Sequence, residues 1–412
     1  MDCAGGKRFV SAFCILHSSA DMKNVPAIIL IAILWIAFGA APIAFSCPPM
    51  PTEAWFKAHP YSQFLGMDVL ITALAAVVLL ILKADSGSDR EKVIRYCGFA
   101  LLAVLLTDIH YDMVDRFHMN WQIAQFNDIL MHHCLPPDQY RFLPQGTLWW
   151  MTLITGDFQF AYMIFRFFFT FLLCHAIYRL ARLYLPSAQS VLIVFIYGCF
   201  YTLSTRYYFG NLLDPMSHLV MLTALYYCRQ RRFCSFFWLF VLGVFIKETM
   251  LLLAPCYYLM NPENARLRAQ QNLQRMFLLG AAGIAVFFAC RLPFHFNFNF
   301  QSLNRTPESM IYANLGIGHA RVGSPVSIYM RYVHPILFLF MWLPVIVWGR
   351  RRLPVSLFWT SLYLAATLYI TNTLFGWNYE SRNFVPGLIV LLIATLAVLV
   401  DWVAEKPMPT AR

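Results

Sequence analysis

The twelve residues VFIKETMLLLAP, Val244 to Pro255, set a lysine beside a glutamate inside a long apolar run. The reading of this run decides the fold. As a single span over 235–260, it would carry two ionisable groups through the bilayer. As a re-entrant hairpin, it has two arms of about 12 residues, each reaching roughly 18 Å, about half a bilayer. The turn is then IKET, with Lys247 and Glu248 at the tip. Such backbone is tolerated at membrane depth where it faces protein or a wet cavity.

The charge pattern separates the two readings. Apolar runs of spanning length fall at 26–46, 66–83, 93–108, 157–178, 189–205, 211–228, 276–292, 333–349, 355–374 and 385–403. With Lys7, Arg8 and Lys23 in the cytoplasm, the next inside loops hold Lys83, Arg90, Lys92 and Arg95, then Arg179 and Arg182, then Arg229, Arg231 and Arg232. A full span at 235–260 would throw Arg266, Arg268, Arg275 and the run Arg350–Arg352 outside. A hairpin keeps them inside, as the excess of Lys and Arg in short cytoplasmic loops requires. The hairpin is therefore expected, with both termini cytoplasmic.

The composition agrees. The 412 residues are 60% hydrophobic, 17% aromatic and 12% charged, against about 25% charged in soluble domains. The net charge of +11 sits in short runs between apolar spans, so it excludes a nucleic-acid surface as its cause. Eleven cysteines show no CxxC pairing, and Cys97, Cys174, Cys199 and Cys290 lie in apolar runs, where thiols act as small hydrophobes. Neither a zinc site nor a disulfide framework is expected. The run from Pro26 to Phe45 reads as an uncleaved first helix.

Three long outside segments follow from this topology, at 47–65, 109–156 and 293–332, with a shorter cap at 371–384. In the second, Asp108, Asp112 and Asp115 are spaced i, i+4, i+7 and share one face of a regular helix. Such a face suits a general base or a divalent cation; it equally suits the solvated side of a surface helix. Arg141, in DQYRFLPQ, could clamp a phosphate or snorkel to the headgroups. His132 and His133 are adjacent and face apart. Asp214 precedes Pro215 at the outer start of a span, where it is a functional residue or a helix cap. Glu380 and Arg382 could pair with each other or place a cation at a cavity mouth. His175 and His218 are lone histidines that suit a structural role or the membrane-embedded pocket of an acyltransferase. Asn304-Arg305-Thr306 is a formal glycosylation sequon.

These pieces together resemble the polytopic C-type (GT-C) glycosyltransferases. LGVFIKETMLLLAPCYYLM looks like their GL-x-x-x-TK or KE-x-x-LL-x-P segment. YESRNFVPGLIVLL looks like their E-x-R-[YF]-x-x-P-x-x-P element, with Asn383 replacing the first half of the usual R-[YF] and the second proline missing. DQYRFLPQ is similar to a Y-R-x-L-x-P stretch of bacterial members. The resemblance covers roughly 93–403. It implies an all-α polytopic bundle of about ten or eleven transmembrane helices, with a re-entrant hairpin at 235–260 and surface helices in the outer catalytic loop 109–156. Residues 1–92 supply a cytoplasmic tail and two leading helices, which departs from members whose first span enters the loop directly. Residues 404–412 form a cytoplasmic tail, and the expected location is a bacterial plasma membrane.

The resemblance further implies sugar transfer from a polyprenyl-phosphate donor on the outer face to a glycan, lipid or protein acceptor. Asp112, or Asp108, would be the base. Lys247, Arg382 and Arg141 would stabilise the leaving phosphate, with Glu248 orienting or neutralising Lys247 and Glu380 near Arg382. No cofactor is required, although Asp112 and Asp115 permit a divalent cation. A secondary transporter, a lipid-linked polysaccharide polymerase or ligase, and a membrane acyltransferase are the competing classes.

Overall fold

The computed structural model describes residues 88–131, 133, 140–205, 213–262, 266–292, 311–312, 314–315, 325–375 and 381–404. Every regular element among them is helical. The expected spans 26–46 and 66–83, the sequon, His132, Glu380 and most of the loop 293–332 lie outside the described residues. Four described helices are long and apolar enough to cross a membrane: Asp89–Asp115, Phe158–Ala181, Leu267–Ala289 and Arg382–Val403. The chain is thus a helical protein of membrane type.

Helix α1 (Asp89–His110) opens on Ser88, whose hydroxyl accepts from the Glu91 amide while Glu91 reaches back to the Ser88 amide. This reciprocal cap fixes the helix start. At its far end α1 widens into a π-helical turn, Tyr111–Asp115, before α2 (Arg116–Leu130). Helix α3 (Phe142–Thr155) stops at Gly156, whose φ of 77° suits a residue without a side chain. Asp157 then caps α4 (Phe158–Ala181) by accepting from the Phe160 amide at 2.6 Å. Helices α5 (Ser187–Thr205) and α6 (Asp214–Arg229) follow. With α4, they form the buried centre, where Tyr162, Phe165, Leu173, Tyr197 and Leu222 are fully enclosed.

The charged dodecapeptide breaks its helix. Helix α7 (Phe233–Ile246) ends at Lys247, which is extended at φ −159°, ψ 134°. A 3-10 turn, Glu248–Leu252, leads into α8 (Leu253–Met260). Pro255 falls in the first turn of α8, where its missing amide hydrogen costs no helical bond. The chain then doubles back: Tyr257 lies 5.2 Å ring to ring from Phe233, and the Asn261 amide group donates to the Cys228 carbonyl at 3.1 Å. The end of α8 therefore sits beside the start of α7.

Helix α9 (Arg266–Ala289) packs on this pair with one face and leaves Phe277, Ile284 and Phe288 exposed. The run expected as one span over 333–349 is interrupted. Helix α10 (Pro325–Phe338) gives way at Leu339 to a 3-10 turn, Phe340–Trp342, and then to α11 (Leu343–Trp348). Pro335 weakens the helix before this break, Pro344 falls in the first turn of α11 where proline is tolerated, and the Trp342 indole donates to the Leu337 carbonyl there. Helices α12 (Val355–Phe375) and α13 (Val385–Ala404) complete the fold, with the 3-10 turn Ser381–Phe384 leading into α13.

Candidate functional site

The hairpin tip sends two adjacent side chains in opposite directions, as extended backbone dictates. Lys247 turns toward the starts of α6 and α13. Its ammonium lies 3.5 Å from Asp214 Oδ1 and donates to Asn383 Oδ1 at 2.8 Å. Arg382 donates to the other Asp214 oxygen at 3.0 Å. The Asn383 amide in turn donates to Asn372 Oδ1 on α12, at 2.9 Å. One carboxylate thus sits between two cations, and all three are largely withdrawn from solvent.

Glu248 turns the other way. Its Oε2 accepts from Arg141 Nε and Nη2, each at 3.1 Å. Arg291, at the end of α9, is fully buried, with its guanidinium 4.2 Å from the centre of the Tyr140 ring and 3.4 Å from that of Phe287. Burial lowers its proton affinity, and the Glu248 carboxylate opposes that shift. Both clusters hold more positive than negative groups among the described residues.

A narrow cleft lies beside Lys247, with a cavity volume of about 10 Å³, room for roughly one water molecule. Lys247, His218, Ser217, Thr249 and Asn383 give it polar walls, and Met221 and Leu368 give it apolar ones.

A second buried network lies at the same end of the bundle. Asp115 Oδ1 accepts from the Tyr162 hydroxyl at 3.1 Å and lies 3.5 Å from His110 Nε2. Arg166 donates to Tyr162 at 3.3 Å and to the Tyr201 hydroxyl at 2.5 Å. It ties together the ends of α1, α4 and α5. The three aspartates do not share a face: Asp115 is fully buried, whereas Asp108 and Asp112 are exposed. The π-helical turn explains this, since its extra residue rotates everything beyond it by roughly 100° relative to a regular helix. No group of three or more His, Cys, Asp or Glu among the described residues is placed to hold a metal ion.

The expected site residues therefore fall into three places. Lys247 and Arg382 come together on Asp214. Arg141 joins Glu248. Asp108 and Asp112 stand on the exposed side of α1. Asp214 is the first residue of α6 rather than its cap, and its role is the ion pair. Asn383, the position that departs from the resembled motif, is the partner of Lys247. Comparison with known protein families, curated proteins and solved structures gives no match.

Proposed function

We propose that the chain is a membrane glycosyltransferase that moves a sugar from a polyprenyl-phosphate donor to an acceptor on the extracytoplasmic face, with 233–260 as a re-entrant hairpin. The observation that carries this reading is that Asp214 holds Arg382 beside Lys247, which lines a small cleft. Leaving of a lipid phosphate requires its developing charge to be met by fixed cations. In transfer, the bond between the anomeric carbon and the phosphate oxygen breaks, and its electron pair stays on the phosphate beside Lys247 and Arg382. The acceptor oxygen bonds to that carbon, and its proton passes to Asp112 or Asp108.

The test is turnover by purified protein in nanodiscs supplied with polyprenyl-phosphate sugars. Loss of sugar from the lipid is expected for the native chain. Lys247→Ala is expected to lower it by a factor of about a hundred or more, as removal of one preorganised donor does. Asp112→Asn, alone or with Asp108→Asn, is expected to lower it by a similar factor. A native chain that neither binds nor consumes any such lipid overturns the proposal. Counter-flow of a solute across the membrane would instead mark a transporter, which the broken hairpin at the cleft also suits.

A further inference from the structure

Lys247 is held by an amide as well as by a carboxylate. Its ammonium donates to Asn383 Oδ1 at 2.8 Å, closer than its 3.5 Å approach to Asp214. Asn383 then donates from its own side-chain nitrogen to Asn372 Oδ1 at 2.9 Å. Chemistry fixes the direction of this chain. An ammonium has three donors and no acceptor, so the Asn383 atom that meets it must be the oxygen. The nitrogen of that amide is then turned away from Lys247 and needs an acceptor of its own. Asn372 supplies one.

The helices bring these short side chains within reach of each other. Asn372 is buried near the end of α12, and Asn383 lies in the 3-10 turn that opens α13. One turn away from each, Leu368 of α12 packs against Gly387 of α13, where an added Cβ would fall 2.8 Å from a Leu368 methyl. A larger residue there would push the two helices apart. Helix α12 is itself braced on both sides of Asn372. The Tyr363 hydroxyl donates to the Leu252 carbonyl of the hairpin at 3.1 Å, and the Asn314 amide group donates to the Thr373 carbonyl at 3.0 Å. Lys247, Asn383 and Leu368 line the same cleft.

A neutral amide does what a second carboxylate at the same place would not. It orients the ammonium through a hydrogen bond and leaves its charge uncancelled. Stabilising a leaving group needs a cation that is both fixed in place and still charged. Turned by 180°, the Asn383 amide would set donor against donor at Lys247. The Asn372 oxygen favours the other orientation, which presents the Asn383 oxygen. For packing alone two leucines would serve, since a buried amide costs free energy unless it is hydrogen-bonded.

We propose that Asn372 is a positioning residue for Lys247. Acting through Asn383, it fixes the amide orientation that holds the ammonium at the cleft, ready to meet the leaving phosphate. The part played in transfer rests on the glycosyltransferase reading above; the hold on Lys247 does not. The chain of two amides is also separate from the resemblance, since Asn383 is the position at which this sequence departs from the resembled motif.

Two measurements on the full chain in nanodiscs test this. One is the rate of reductive methylation of Lys247, read by mass spectrometry, which needs no substrate. The other is turnover of a polyprenyl-phosphate sugar, with kcat and KM separated. The native chain is compared with Asn383→Leu, Asn372→Leu, Asn372→Asp and Asn383→Asp. Ser361→Ala, which breaks a hydroxyl contact to Leu357 elsewhere on α12, is the control. Both leucine variants are expected to methylate severalfold faster at Lys247, and Asn372→Asp, which keeps the acceptor, to restore the native rate. In turnover, Asn372→Leu should lower kcat roughly tenfold at nearly unchanged KM, as loss of a transition-state contact does. Asn383→Asp should keep Lys247 slow to methylate yet lower kcat by a similar factor. Native methylation in Asn372→Leu overturns the proposal, as does an equal change in Ser361→Ala or a failure of Asn372→Asp to restore the rate. If a leucine variant misfolds, Asn383→Asp decides, and native turnover in it overturns the proposal. A native chain that consumes no such lipid overturns the glycosyltransferase reading instead, and methylation still judges the role of Asn372.

Discussion

Asp214 determines the geometry of two cations that cannot hold themselves together. With its carboxylate removed, Lys247 and Arg382 would face each other in a poorly hydrated setting. Removing one partner of a buried ion pair typically costs about 3–5 kcal/mol, so Asp214→Ala is expected to lower thermal stability sharply, read by melting in detergent. Tyr162→Phe is a milder case. It takes the donor from a fully buried Asp115 oxygen and is expected to cost about 1–3 kcal/mol in the same measurement. The sequence pointed to Lys247, Arg382 and Arg141 because charged groups stand out against apolar surroundings. It could not pair Arg382 with a carboxylate 168 positions away. Nor did spacing reveal the inward turn of Asp115, because the i, i+4, i+7 pattern presumes a regular helix and nothing local marks the π-helical insertion.

Among the elements, the broken helix over 233–260 was legible for a simple reason. Two ionisable residues in the middle of an apolar run demand an exit from the helix or a partner, and here they have both. The hairpin leans on α9 at Gly283, where an added Cβ would fall 2.6 Å from a Leu251 methyl and 2.8 Å from the Phe240 ring. Such overpacking costs about 1–3 kcal/mol. Gly283→Ala is therefore expected to lower the melting temperature, and proteolysis at the hairpin should report whether the loosening is local. The break at Leu339 was less legible. Hydropathy averages over 333–349 and sees only an apolar run, whereas the interruption depends on a proline and on an indole that takes up a carbonyl.

At the scale of the whole molecule, charge divides the bundle. Exposed arginines crowd one end, while the buried polar clusters of Asp115 and Asp214 lie at the other, joined by apolar helix. Hydropathy conveys this division well, because a chain so apolar has few places to put charge. The side on which Arg266–Arg275 emerges depends on the doubled-back segment. Cysteines introduced at 231 and 268 in a background without accessible thiols should react with a membrane-impermeant reagent from the same side, and a cysteine at 112 from the opposite side. Labelling of 231 and 268 from opposite sides would make 233–260 a full span.

The extended Lys247 residue has a consequence for how substitutions combine. Lys247 and Glu248 belong to different charge clusters but share one peptide bond, on a backbone that cannot rotate one side chain inward without disturbing its neighbour. Defects on the two flanks of the tip should therefore not be independent. In a double-mutant cycle, Arg141→Ala and Arg382→Ala are expected to show a coupling free energy of at least about 0.5 kcal/mol, although the two arginines belong to separate clusters. Read this way, the tip is a hinge pin common to both clusters, and epistasis across it is built into the chain.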